Sequence, residues 1–133
     1  ADADEMWERL YERAAAARSN AWSPYSDFQV GAALVTPGGD IYDGCNVENA
    51  TFGATVCAER TAVGCAVKEG EREFEALVVI TDLDDPASPC GICRQVLAEF
   101  CDDLPIMLAN LDGERRFTTL DILLPQRFSG RDI

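Results

Sequence analysis

Cys57-Ala58-Glu59 and Pro89-Cys90-Gly91-Ile92-Cys93 constrain this chain most, because Cys57 and Cys90 stand 33 residues apart and are useful together only if the fold makes them meet. The histidine count is 0, so a metal here must be held by sulfur or oxygen. Three thiolates leave a tetrahedral zinc with one open position, which separates a catalytic site from a closed structural one. A carboxylate beside that position can take and return the proton of an activated water. The pattern therefore points to an active site assembled from two distant segments.

Hydrophobic periodicity says what those segments belong to. Met6, Leu10 and Ala14 recur at spacing four between charges, which predicts an amphipathic helix over 4–20, broken by Trp22-Ser23-Pro24-Tyr25-Ser26. Residues 28–36 read as a strand, Pro37-Gly38-Gly39-Asp40 as a hairpin turn and 41–46 as the returning strand. A helix is expected over 56–69, closed by Gly70. Ala76-Leu77-Val78-Val79-Ile80-Thr81 is a continuous run of the kind found in a central strand covered on both faces. A polar loop over 82–89 leads to a helix over 90–101, and strands follow over 105–110 and 115–119. The link between those strands is too short for a crossover helix, so the last two strands should be antiparallel. The expected class is α/β, a three-layer α/β/α arrangement with a mixed five-stranded sheet, in one domain spanning 1–133.

Both cysteine motifs thus fall at helix starts. Free N–H groups and the helix dipole there favour thiolate over thiol. Cys90 and Cys93 lie on one first turn and can grip one ion. Cys57 and Glu59, two apart, would diverge in a regular helix, so Cys57 should sit at the very end of its helix with Glu59 reaching around the metal. Three thiolates and Zn²⁺ sum to one negative charge, which opposes acidifying a bound water. Arg60, next to Glu59, is the residue placed to draw charge from the sulfurs, although its charge alone also fits a surface ion pair.

Composition narrows the partners. The chain of 133 residues carries 24 Asp+Glu against 11 Lys+Arg, a formal charge of −13, and such a field repels nucleic acid. A small neutral substrate suits it better. No apolar run approaches the roughly 20 residues that cross a membrane, and the N-terminal segment does not read as a secretory signal, so a cytoplasmic protein is expected. Acidic, lysine-poor surfaces suit high salt, and a halophilic source is a hypothesis that equal Tm at low and molar KCl would remove. Of the 6 cysteines, Cys65 and Cys101 sit among apolar residues and read as small buried hydrophobes.

CxxC by itself also fits a redox dithiol or half of a structural zinc knuckle. The redox reading leaves Cys57-Ala58-Glu59 unexplained, and the structural one wants a fourth cysteine, for which Cys45 is the candidate. With Cys-x-Glu and the proline before CxxC, the chain resembles a cytidine deaminase of the small, three-cysteine, homotetrameric type. The likeness extends to Pro24-Tyr25-Ser26-Asp27-Phe28-Gln29-Val30-Gly31, to Gly44-Cys45-Asn46-Val47-Glu48-Asn49-Ala50 and to Leu123-Leu124-Pro125-Gln126-Arg127-Phe128. Together these blocks run from about residue 24 to 128.

The resemblance implies one Zn²⁺ held by Cys57, Cys90 and Cys93, and Glu59 as the proton-transferring group. It implies hydrolysis of free cytidine and deoxycytidine to uridine and deoxyuridine plus ammonia, as in pyrimidine salvage. The Ala58 N–H and the Ser88 carbonyl would contact the base edge, Asn46 and Glu48 the ribose, and Phe28 the base. Phe128 would reach in from a neighbouring subunit of a homotetramer. Taken alone, either phenylalanine reads as plain core, and Asn46 as part of a polar turn. One departure is visible: Phe52 stands where the family commonly has tyrosine, removing a hydroxyl that could bond between subunits. The rival readings are a blasticidin-S-type deaminase on the same scaffold and a non-catalytic zinc-binding module.

Overall fold

The apolar run behaves as its composition demands: it is strand β3 (Ala76–Thr81), buried along its whole length at the middle of a five-stranded sheet. The computed structural model describes residues 2–130; of the expected domain 1–133, residues 1 and 131–133 lie outside the described residues. Strand β1 (Gly31–Val35) returns through a tight turn as β2 (Ile41–Cys45), and β4 (Pro105–Asn110) returns as β5 (Arg115–Thr119). The order is β2-β1-β3-β4-β5. Only β3 and β4 run parallel, and the other neighbours, including the last two strands, are antiparallel.

Helices cover both faces. Helix α1 (Asp2–Arg18) places Leu10 and Ala14 against Ala33, Val35, Val78 and Met107. Helices α2 (Ala58–Lys68) and α3 (Gly91–Phe100) place Ala58, Ala62, Ala66 and Leu97 against Ala32, Leu34, Leu77 and Ile106 on the opposite face. The alternating register of the strands divides the core in this way: even positions of β1 face one layer and odd positions the other.

The element bounds differ from expectation at informative places. The strand expected over 28–36 begins at Gly31, because the backbone at Phe28 and Val30 bonds the Asn46 side chain, outside the strand ladder. The helix expected from 56 begins at Ala58, because Val56 pairs with Val47 in a two-way bridge, N–H to carbonyl at 2.9 Å in each direction. Two short elements were not expected: a 3₁₀ turn (Phe52–Ala54) and α4 (Leu120–Leu123), the latter capped by Thr119 Oγ1 accepting from Ile122 N at 3.3 Å. Cys101 is buried as expected, but Cys65 is exposed. Its position on α2 lies off the stripe formed by Ala58, Ala62 and Ala66, so proximity to apolar neighbours in sequence did not place it inward.

Candidate active site

The two cysteine motifs meet where the starts of α2 and α3 converge on one face of the sheet. Cys57 is the N-cap of α2 and Cys90 the N-cap of α3, both extended in backbone conformation. Extended geometry at Cys57 resolves the divergence that a regular helix would impose on Cys57 and Glu59. Gly44 on β2 lets the first turn of α2 approach closely: a Cβ there would lie 2.6 Å from Ala62 N and 2.8 Å from Ala58 O.

Cys57 Sγ lies 3.7 Å from Cys90 Sγ, and Cys90 Sγ lies 3.4 Å from Cys93 Sγ. All three sulfurs fall within 4.8 Å of one another. Zinc–sulfur bonds of about 2.3 Å in a tetrahedron require sulfurs about 3.8 Å apart, so the donor set fits zinc in both chemistry and spacing. Among the described residues this is the one cluster of its kind, and the nearby carboxylate of Glu59 is not part of it.

Charge at the cluster is managed by Arg60. Its Nη2 donates to the Thr55 carbonyl at 3.1 Å and to Cys57 Sγ at 3.7 Å. The hydrogen bond from Cys93 and the Arg60 guanidinium together pull the Cys57 thiol down to about 5. The same bond to Cys57, with burial behind it, pushes the Cys93 thiol upward. Cys57 therefore carries the first thiolate, because Arg60 and the helix start favour charge there independently of its sulfur neighbours. Glu59 is only 4% exposed, and burial, reinforced by the Cys57 charge, raises its carboxyl to about 7. A carboxyl poised near neutrality is suited to accept and return a proton.

A cavity of about 260 Å³ opens onto this cluster. Cys57, Ala58, Glu59 and Cys90 form its floor, and Phe28, Asn46, Glu48 and Ser88 line its walls, so eight residues singled out in the sequence share one space. Cys93 is buried beneath it. Asn46 donates from Nδ2 to the Phe28 carbonyl at 2.7 Å and accepts at Oδ1 from Val30 N at 2.9 Å. Glu48 accepts from Tyr25 N at 2.9 Å, from Ser26 N at 3.1 Å and from the Ser26 hydroxyl, and these bonds hold its carboxyl below the usual range. Both side chains thus brace the loop that carries Phe28, with one donor and one lone pair still free on the amide.

Phe128 does not line this cavity. It is 61% exposed, on a segment tied down where Gln95 Nε2 donates to its carbonyl at 2.8 Å. Phe52 is also exposed and meets Tyr25 edge to face, with ring centroids 5.8 Å apart. Sequence reasoning missed Val79 and Thr81, which form the cavity's inner wall. Their signal was available: they end the strand that runs parallel to β4, and ligands gather at the carboxyl ends of such strands.

Residues 4–108 match the family model of the cytidine and deoxycytidylate deaminase zinc-binding region. The chain belongs to this family. It is 50% identical over 127 residues to the cytidine deaminase of Sporosarcina psychrophila, covering 95% of this chain and 93% of that one. The solved structure of a cytidine deaminase from Burkholderia pseudomallei superposes with a TM-score of 0.88 at 47% identity, covering 91% of this chain and 98% of the other. The blasticidin-S deaminase of Bacillus cereus is more distant, 32% identical over 108 residues and 75% of this chain. The family's mixed sheet, with helices on both of its faces, is the one described above.

Proposed function

We propose that this chain is a zinc-dependent cytidine deaminase that hydrolyses free cytidine and deoxycytidine to uridine and deoxyuridine with release of ammonia, in pyrimidine salvage. The observation that carries this reading is the buried Glu59 carboxyl beside three converging sulfurs on the floor of one cavity. Cys57, Cys90 and Cys93 would hold the zinc, whose Lewis acidity would bring a water's pKa down to about 7. Glu59 takes the proton of the water that attacks C4, delivers it to N3, and then helps protonate the amine as the C4–N4 bond breaks. Arg60 draws charge from Cys57 and so lowers the cost of three thiolates around one ion.

The Ala58 N–H, unpaired within its own helix turn, and the Ser88 carbonyl fix the base edge. Phe28 packs on the ring, and the remaining capacity of Asn46 and Glu48 meets the sugar hydroxyls. The Glu48 carboxylate disfavours a phosphorylated sugar. Phe128, exposed and outside the lining of its own cavity, completes a neighbouring one in a homotetramer, where the exposed Phe52 ring packs without the usual hydroxyl. A cytoplasmic setting fits three thiols that must stay reduced to bind metal. A non-catalytic zinc module has no use for a buried carboxyl raised toward neutrality.

An absorbance assay with cytidine, deoxycytidine and CMP, with zinc measured on the same sample, tests the reading. Turnover of both nucleosides and refusal of CMP are expected. A preparation with one zinc per chain and no turnover of either nucleoside overturns it.

A further inference from the structure

Residues 82–89 join β3 to α3 and lead through Ser88 into Cys90, yet they form neither helix nor strand. Side chains fasten them. Arg94 Nε donates to the Pro89 carbonyl at 2.8 Å, fixing the end next to the cysteines. The opposite end is held by a residue outside every motif considered so far, Asn110.

Asn110 ends β4, in register with Thr81 at the end of β3, and is 2% exposed. Its Nδ2 donates to the Leu83 carbonyl at 3.0 Å and the Asp84 carbonyl at 3.2 Å. Its Oδ1 accepts from Asp112 N at 3.1 Å and Glu114 N at 2.9 Å. A side-chain amide has two donors and two acceptor lone pairs, so every one is used, half on each side. The Tyr11 hydroxyl donates to the Asn110 carbonyl at 3.0 Å and fixes the residue from the α1 layer. The acceptor half accounts for the β4–β5 turn. The donor half does nothing for that turn and is aimed at the loop.

We propose that Asn110 is a positioning residue for the active site: its two donors tether residues 83 and 84 to the sheet and so set where Ser88 and Cys90 stand over the cavity. The proposal rests on the deaminase reading only for its kinetic consequence.

Asn110→Asp separates the two halves, because a carboxylate keeps both acceptors for the turn and loses both donors for the loop. Hydrogen exchange, zinc release to a chromogenic chelator and steady-state kinetics with cytidine are measured on the zinc-loaded protein. Exchange over 82–90 and zinc release should each accelerate about tenfold, the effect of two lost hydrogen bonds, while exchange over 111–114 stays unchanged. KM should rise about tenfold with a smaller fall in kcat, since the loop forms a wall of the cavity and not the proton-transfer group. Wild-type exchange over 82–90 with wild-type zinc release would overturn the proposal, as would loosening confined to the turn. If Asn110→Asp does not fold, Asn110→Ser, which adds no buried charge and keeps at most one donor, must shift the same readouts in the same direction. Should the wild-type protein fail to deaminate cytidine, the deaminase reading falls, while exchange and zinc release still decide the tether.

Discussion

The starts of α2 and α3 both present cysteine to the same three-sulfur cluster, but they are held in place by different means. The α2 start is built into the sheet layer: Val56 is bridged to Val47, Gly44 admits the first turn at close range, and Ala58 and Glu59 are buried. The α3 start hangs from an irregular loop, and its N-cap Cys90 is exposed while Cys93, one turn in, is buried. The rigid half carries Glu59, and the proton-transfer role proposed for it requires placement to within a fraction of an ångström. The tethered half carries a proposed metal ligand and a cavity wall, which tolerate more adjustment.

The sharpest way to break this division is at Glu59. Glu59→Ala should keep one zinc per chain and lose deamination by roughly 10²–10⁴-fold, because general acid–base catalysis is removed and the ligands are untouched. Kinetics paired with metal analysis checks it; full activity would mean that the rigid half does not hold the proton-transfer group.

The two ligands of the other half should then differ from each other. Cys90→Ala and Cys93→Ala should both lose zinc and the folding energy that zinc contributes. In metal-free protein, however, Cys93→Ala leaves a buried gap, costing about 1 kcal/mol, whereas Cys90→Ala leaves no gap and loses only the cap bond that its Sγ accepts from Cys93 N at 3.5 Å. Melting curves with and without chelator separate the two effects. Metal-free melting of Cys93→Ala equal to that of the unsubstituted protein would show that burial of this cysteine has no energetic content.

Burial of Glu59 also makes the rigid half sensitive to pH. Its carboxyl titrates at about 7 in the fold against 4.5 ordinarily, so the folded state holds the proton more tightly than the unfolded chain. Metal-free protein should therefore lose stability as pH rises from about 4.5 to 7, a change of about 3 kcal/mol if the whole shift is expressed. Glu59→Gln, neutral at every pH, should remove that loss and be the more stable protein at pH 8 but not at pH 4. Denaturant midpoints at the two pH values decide it.

Much of this was legible in the sequence because it depends on local chemistry. The apolar run of 76–81 announced the central strand, and the two cysteine motifs announced helix starts whose sulfurs meet. What was not legible depends on side chains acting on distant backbone. The Asn46 amide takes the backbone of Phe28 and Val30, shortening β1, and no pattern within 28–36 could show that. The outward turn of Cys65 depends on where α2 sets its stripe against β2. Thr81 and Val79 read only as core until the cavity placed them against it. Asn110, five residues before the next strand begins, looks like an ordinary turn residue until its donors are traced.

The last expected effect probes the close approach of α2 to β2. Gly44→Ala would put a methyl 2.6 Å from Ala62 N and 2.8 Å from both Ala58 O and Thr61 Cβ. Two of those three atoms belong to helix backbone, which cannot rotate aside, so the start of α2 must move away from β2. Overpacking of this kind costs about 1–3 kcal/mol, seen as a lower denaturant midpoint. The kinetic consequence should be the reverse of that at Asn110: displacing Cys57 and Glu59 together lowers kcat more than it raises KM, because the group that moves the proton shifts while the loop wall stays. A variant that loses stability with kcat unchanged would show that the sheet contact at Gly44 packs the helix without positioning its first turn.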